Sequence, residues 1–123
     1  MAIPTGSGTE VLRSGMWNTQ STDVTSFDFS AGNPTLGDET DTVPANHIIT
    51  MLSIIWCETA NAAEVFHLND NSGYILVSQP LSARGTFIWA ERYVVPAGGM
   101  LQTLTGTSAD VDVYYSYLDQ DWS

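Results

Sequence analysis

Short stretches of alternating apolar and polar residues recur along this chain, and turn-forming residues separate them. The clearest is Asp110 to Leu118, in which Val111, Val113, Tyr115 and Tyr117 share one side. A period of two is that of a β-strand with one buried face. No stretch combines a 3.6-residue period with helix caps. The pattern therefore predicts an all-β chain.

Eight stretches carry the strand signal: residues 10–18, 27–30, 47–57, 65–69, 74–79, 86–95, 100–104 and 110–118. Asn, Asp, Ser and Gly between residues 69 and 73 predict a tight turn, since these residues tolerate positive φ, and therefore a hairpin. About eight short strands with turns between them predict a β-sandwich or a closed barrel. We expect a two-sheet antiparallel sandwich, jelly-roll-like, which the repeated turns described below suit.

The stretch His47 to Cys57 is apolar on both sides. As a regular strand it places Ile49, Met51, Ile55 and Cys57 on one face, and Ile48, Leu52, Ile54 and Trp56 on the other. A strand of this kind is covered on both faces. Because only one face meets the core of a two-layer sandwich, the other needs a loop, a partner or another subunit.

A short repeat links two predicted turns. Val43-Pro44-Ala45 and Val95-Pro96-Ala97 each precede a new strand, and apolar residues follow both at the same offsets. Two equivalent turns suit a jelly roll, which contains two Greek keys. A chance match of three residues is the alternative.

The chain has 123 residues, within the size range of one domain. Residues 1–9 are rich in Gly, Ser, Thr and Pro and predict an extended or flexible arm. Residues 10–123 are expected to form the single sandwich. The first residues have neither a basic segment nor an apolar run, which argues against a secretory signal peptide. We therefore expect synthesis in a cytoplasm without export by the usual route.

The net charge of the chain disfavours two classes of binding partner. The chain has 14 acidic residues, three arginines and no lysine, and its net charge is −11. Phosphate backbones and anionic membranes would be repelled, so neither nucleic acid nor membrane is an expected partner. The acidity is also consistent with simple solubility.

No catalytic motif stands out. The sequence has no nucleophile elbow, no phosphate-binding glycine loop and no Cys-x-x-Cys, so we expect neither an enzyme nor a cofactor. Cys57 is expected to be a small buried hydrophobic residue. His47 and His67 are expected to be hydrogen-bonded or solvent-facing. A reactive Cys57–His67 pair would need a polar pocket, which the apolar neighbours of Cys57 disfavour.

Two acidic clusters are candidate calcium sites, Asp38-Glu39-Thr40-Asp41 and Asp119-Gln120-Asp121. Calcium takes six to eight oxygen ligands, and neither cluster completes a known loop pattern. Solvated acidic loops are the expected alternative, and no metal site is predicted.

Three stretches resemble a group of small virion proteins of tailed bacteriophages: Thr42 to Ala60, with its TVPA entry and C-x-T-A exit, Pro80-Leu81, and Glu91 to Gly99. The resemblance covers about two-thirds of the chain. It implies a sandwich fold and a place in the virion as a capsid decoration, fibre or tail-associated component. These motifs are turns and core strands rather than catalytic signatures.

Within that range our leading hypothesis is a decoration (cement) protein that bridges and stabilises subunits of the major capsid protein. Local three-fold symmetry of a shell suggests a homotrimer. The residues expected at the interfaces are Ile3, Pro4, Trp17, Ile48, Leu52, Ile54, Trp56 and Trp122. Two alternatives remain: a tail or fibre component that binds carbohydrate through exposed aromatic residues, and an unrelated lectin-like sandwich.

Overall fold

The structure is a computed structural model that describes residues 9–20, 22–106 and 110–122. It contains nine strands: β1 (Thr9–Thr19), β2 (Thr25–Ser26), β3 (His47–Glu58), β4 (Glu64–Asp70), β5 (Tyr74–Leu81), β6 (Thr86–Trp89), β7 (Tyr93–Val95), β8 (Leu101–Thr105) and β9 (Val111–Asp121). No helix occurs among the described residues, so none there could span a membrane. Residues 1–8 of the predicted arm lie outside the described part, and Thr9 begins β1.

The strands form two antiparallel sheets that pack face to face. One sheet has the order β1-β9-β3-β6, with β7 also pairing with β3, and the other has the order β2-β8-β4-β5. Apart from the β4–β5 hairpin and the β6–β7 pair, consecutive strands lie in different sheets. With β6 and β7 taken as one interrupted strand, this is the strand order of a jelly roll. The predicted fold class is confirmed.

The predicted strand 86–95 is interrupted in the structure. β6 pairs with residues 54–57 of β3, and β7 pairs with residues 49–51. The alternation survives the interruption, because Trp89 and Val95 are both buried. The side chains of Phe87 and Tyr93 pack against the same core.

A β-bulge corrects the predicted faces of β3. The register of β3 against β9 shifts between Met51 and Ser53. Because the bulge adds one residue, it reverses which side chains point inward. Ile54 and Trp56 are therefore fully buried, whereas Ile55 points outward. The prediction that Ile54 shares a face with Ile48 is wrong.

Aromatic rings fill one half of the core. Trp17, Phe27 and Tyr115 make mutual edge-to-face contacts with centroid separations of 5.0 to 6.0 Å. The hydroxyl of Tyr115 donates to the backbone carbonyl of Asp28 at 2.6 Å. Burial raises the pKa of this phenol far above its usual range. The ring therefore ties β9 to the loop that follows β2.

Trp56 lies at the centre of the other half of the core. Its ring stacks on Phe66 at 4.4 Å between centroids, which joins the two sheets. Its indole N–H donates to the hydroxyl of Thr103 at 3.2 Å, and that hydroxyl donates to the carbonyl of His67 at 2.6 Å. The buried polar atoms of the indole and the threonine are thus paired, as burial requires.

The repeated Val-Pro-Ala turns have the same geometry. Asn46 and Gly98, which follow the two repeats, both have positive φ, at 64° and 80°. In each turn the next N–H bonds back to the proline carbonyl, at 3.2 and 2.9 Å. This pattern is that of a type II turn, which calls for Gly or Asn at its third position. The turns also touch, since Gly98 N–H donates to the carbonyl of Val43 at 2.9 Å.

Gly15 generates the first prediction. It faces Tyr115 across the β1–β9 pair, and a Cβ at Gly15 would lie 2.5 Å from the ring of Tyr115. The ring cannot move aside freely, because it is packed among other rings and its hydroxyl is bonded. We expect Gly15→Ala to lower the free energy of unfolding by about 1–3 kcal/mol. Urea titration measures this change.

The matched control is Gly73→Ala, because a Cβ at Gly73 would meet nothing within 4 Å. Its unfolding free energy should stay within about 0.5 kcal/mol of the wild type. Equal stability of the two variants would contradict the role assigned to the Gly15–Tyr115 contact.

Candidate functional site

The outward surface of the five-stranded sheet, here called the outer face, consists of side chains on β1, β9, β3, β6 and β7 that point away from the other sheet. No described element covers it. Four of its residues are large, apolar and exposed: Leu12 (74%), Ile88 (61%), Val94 (56%) and Tyr114 (44%). They comprise half of the large exposed hydrophobic residues in the described part of the chain.

The strand register arranges the outer face in rows. The first apolar row contains Leu12, Leu118, Thr50 and Val94, and the second contains Met16, Tyr114, Ile55 and Ile88. Between them lies a row of three serines, Ser14, Ser116 and Ser53. Ser53 and Ser116 share a hydrogen bond of 2.9 Å between their hydroxyls. The outer face is thus two apolar ridges separated by a trough of small hydroxyl residues.

None of these three rows carries a charged residue. Carboxylates occur only in the rows beyond them, Glu10 at one end and Asp112 at the other. For a chain with a net charge of −11, a neutral and partly apolar central face is a marked segregation of charge. Depletion of charge at the centre and a polar rim are typical of protein–protein interfaces.

A hollow of about 390 Å³ lies over the serine trough. It is lined by Ser14, Gly15, Met16, Asn33, Ser53, Ile55, Tyr114, Tyr115 and Ser116. The side-chain oxygen of Asn33 accepts the N–H of Met16 at 3.1 Å, which orients the asparagine at the edge of the hollow. Apolar walls with hydroxyl and amide groups are the chemistry of a site for a neutral ligand.

Asp119 lies at the end of the same sheet, between the side chains of Arg13 and His47. It is buried, and it accepts hydrogen bonds from Arg13 Nε at 3.1 Å and from a ring nitrogen of His47 at 2.6 Å. These contacts join β9, β1 and β3. A buried carboxylate paired with side chains of two neighbouring strands has a structural role, because it links those strands.

Glu58, unlike Asp119, is held by backbone groups rather than by side chains. Its carboxylate accepts N–H groups of Arg84, Ala60 and Ala62 at 2.6, 2.7 and 3.2 Å. The bond from Arg84 is the largest of the contacts that hold the pKa of Glu58 below its usual range. Glu58 therefore fixes two loops at one end of the sandwich and has no acceptor left for a substrate.

Neither acidic cluster forms a metal site in the described part of the chain. No group of three or more His, Cys, Asp or Glu side chains in that part of the chain is arranged to hold a metal ion. Asp38 instead accepts from both the N–H and the hydroxyl of Thr40, at 2.9 and 2.6 Å, which lowers its pKa. Asp41 has a raised pKa, first because of burial and then because of Asp28 and Asp38.

The prediction of interface residues is wrong for three of them. Trp17, Ile54 and Trp56 are 5%, 0% and 0% exposed and belong to the core. The error at Ile54 and Trp56 comes from the bulge, and Trp17 is an inward residue of β1, in which buried and outward side chains alternate from Gly15 onward. Trp89 is also in the core.

The other predicted residues have different positions. Ile48 lies half-buried at the end of the outer face, Leu52 lies half-buried at the bulge, and Trp122 lies half-buried after β9. Whether they bind a partner stays a prediction. Ile3 and Pro4 lie outside the described residues.

Cys57 is a further correction, because it is half-buried on the outer face rather than in the core. His67 points outward from the opposite sheet, since its neighbours Phe66 and Leu68 are buried. The two residues therefore lie on opposite surfaces and form no pair. Both histidines are hydrogen-bonded as expected, with His67 accepting the N–H of Ser78 at 3.1 Å.

Sequence reasoning missed most of the outer face. Tyr114 is an outward residue in the regular alternation of residues 110–118. A large aromatic residue at an outward position indicates an exposed apolar site. Ile88 and Val94 carried the same signal in the stretch 86–95. Ile55 was assigned to the wrong side because a bulge has no reliable signature in a single sequence.

No protein family, curated protein or solved structure matches this chain. The resemblance to phage virion proteins therefore stays a prediction from the sequence motifs.

Asp70 generates the second prediction. Its carboxylate accepts the hydroxyl of Tyr93 at 2.5 Å and the N–H groups of Ser72 and Gly73 at 2.8 and 2.9 Å. These bonds, the one from Tyr93 first, lower the pKa of Asp70 from 3.8 to about 2. A lowered pKa stabilises the fold above pH 4, and that stabilisation is lost as pH falls from about 4 through 2.

We expect Asp70→Asn to lower the free energy of unfolding at pH 7 by about 1 kcal/mol, allowing for solvent screening. The difference from wild type should shrink as pH falls toward 2. Unfolding in urea at a series of pH values measures it. Glu91→Gln, which alters an exposed carboxylate in the loop before β7, is the control. A difference for Asp70→Asn that stays constant with pH would contradict the assignment.

Proposed function

We propose that this protein is a structural component of a phage virion, a decoration protein that binds the outside of the capsid shell through its outer face. The observation that carries the proposal is the outer face itself. It is an uncovered surface with two apolar ridges and a neutral centre, on a chain that is otherwise strongly acidic. Burying such a surface against a protein is favourable in proportion to the apolar area removed from water.

The distribution of charge supports a protein partner of a particular kind. Carboxylates stand at both ends of the outer face, whereas its centre is neutral. A shell surface with an apolar centre and basic residues around it would match both features. The same acidity keeps free copies apart in solution.

The mechanism is stabilisation by mass action. A protein that binds assembled subunits and not free ones shifts the equilibrium toward the assembled shell. The jelly roll contributes a rigid sheet, because side chains of the outer face project from paired strands rather than from loops. Little conformational freedom is then lost on docking.

The hollow favours a second candidate, a tail or fibre component that binds a neutral sugar. A pyranose ring has an apolar face that would stack on Tyr114 and hydroxyls that would bond to the serines and Asn33. Binding to a glycan array that is lost in Tyr114→Ala and retained in Tyr74→Ala would support this candidate. Absence of any glycan binding would remove it.

The third prediction tests the decoration role by co-sedimentation with shells of the phage assembled without this protein. Wild-type protein should bind saturably at many copies per shell and raise the melting temperature of the shell. Ile88→Asp places a charge in the second apolar row and should weaken binding about tenfold or more.

The control is Val77→Asp, since Val77 is similarly exposed, at 63%, but lies on the other sheet. It should bind within about twofold of the wild type. Saturation at only a few copies per particle would favour the tail or fibre. Equal loss in both variants, or no binding by the wild type, would contradict docking through the outer face.

A further inference from the structure

One edge of the five-stranded sheet is open. β1 pairs with β9 along its whole length on one side. The N–H of Met16 points to the other side, where it donates to Asn33. Because the pairing is regular, the N–H and C=O groups of Glu10, Leu12 and Ser14 point the same way. Among the described residues, none of these three backbones has a partner on that side.

Every other edge in the described part of the sandwich is interrupted or short. β5 contains Pro80 and a positive φ of 48° at Ser78, both of which oppose pairing with another strand. β2 has two residues, and β6 and β7 are separated by a stretch that contains Glu91 and Arg92. In the second half of β1 the edge is not free, because the N–H of Met16 donates to Asn33. Within the residues that the structure describes, only Thr9–Ser14 keeps a continuous free edge.

The centre of this edge is its most apolar point. Leu12 is 74% exposed, the largest fraction among the large hydrophobic residues described. The segment Thr9–Ser14 contains one acid and one base, Glu10 and Arg13, so it is neutral in a chain with a net charge of −11. It therefore combines free hydrogen-bonding groups, an apolar side chain and no net charge.

We propose that this edge pairs with the same edge of a second copy of the chain, antiparallel and about a two-fold axis at Leu12. Leu12 then faces Leu12 of the second copy, Glu10 faces Ser14, and Val11 faces Arg13. No like charges lie opposite each other, and about six backbone hydrogen bonds form. The edge is thus complementary to itself, as an isologous interface requires.

The pairing joins two five-stranded sheets into one continuous sheet and places their outer faces side by side. It is two-fold, and so differs from the trimer expected from shell symmetry. It does not depend on what the outer face binds, because the contacts are made by the edge backbone and by Leu12.

The fourth prediction is tested by analytical ultracentrifugation over a range of protein and salt concentrations. The wild type should form a dimer. Its dissociation constant should fall as salt rises, because salt screens the repulsion between two chains of net charge −11. Attraction to a basic partner would show the opposite salt dependence.

Leu12→Pro is the decisive variant. The N–H of Leu12 points away from β9, so proline should leave the β1–β9 pairing intact while removing a donor from the free edge. We expect its dissociation constant to rise about tenfold or more. Leu12→Ala keeps the N–H and should weaken the dimer less. Ile88→Asp, the variant that tests shell docking, should dimerise as the wild type does.

Hydrogen exchange gives a readout that does not depend on how the proline variant folds. In the wild type, the amides of Glu10, Leu12 and Ser14 should exchange more slowly as protein concentration rises. Absence of that protection would overturn the proposal. So would a wild type that is monomeric at every concentration, a trimer, or a folded Leu12→Pro that dimerises as the wild type does.

Discussion

The β-bulge between Met51 and Ser53 determines which side chains of β3 enter the core and which lie on the outer face. Before the bulge, Ile49 and Met51 point into the core, and after it Ile54 and Trp56 do so. A regular strand would have placed Ile55 inside and Trp56 outside. The bulge therefore supplies the ring that stacks on Phe66 across the sandwich, and it leaves Ile55 in the second apolar row. One extra residue sets the composition of both the core and the outer face.

The positions of the carboxylates complement those of the apolar side chains. Four carboxylates at strand ends or in loops accept backbone N–H groups: Asp28, Asp38, Glu58 and Asp70. Asp119 differs, because it is buried within β9 and accepts from the side chains of Arg13 and His47. Loops need acceptors for N–H groups that no sheet ladder satisfies. Such an arrangement holds the loops and keeps the three central rows of the outer face neutral.

The fold was predictable because its signals are local. Alternation in 110–118 and the Asn69–Gly73 turn each depend on a few neighbouring residues, and the repeated Val-Pro-Ala turns indicated two related halves. The outer face was predictable only in part, because a surface needs the register between strands distant in sequence. Ser14, Ser53 and Ser116 form one row although nothing in the sequence relates them. A bulge, moreover, reverses a strand without any change in composition.

The open edge of β1 and the outer face belong to the same sheet, and this has an energetic consequence. If two copies pair through Leu12, their outer faces become parts of one surface with fixed relative orientation. The second face then docks at a high effective concentration once the first has bound, so a modest affinity per face gives firm attachment. Acidity opposes the pairing in dilute solution and matters less where copies are already held on a common partner. Edge pairing and face docking would therefore reinforce each other on a large surface, while a free copy of net charge −11 remains soluble.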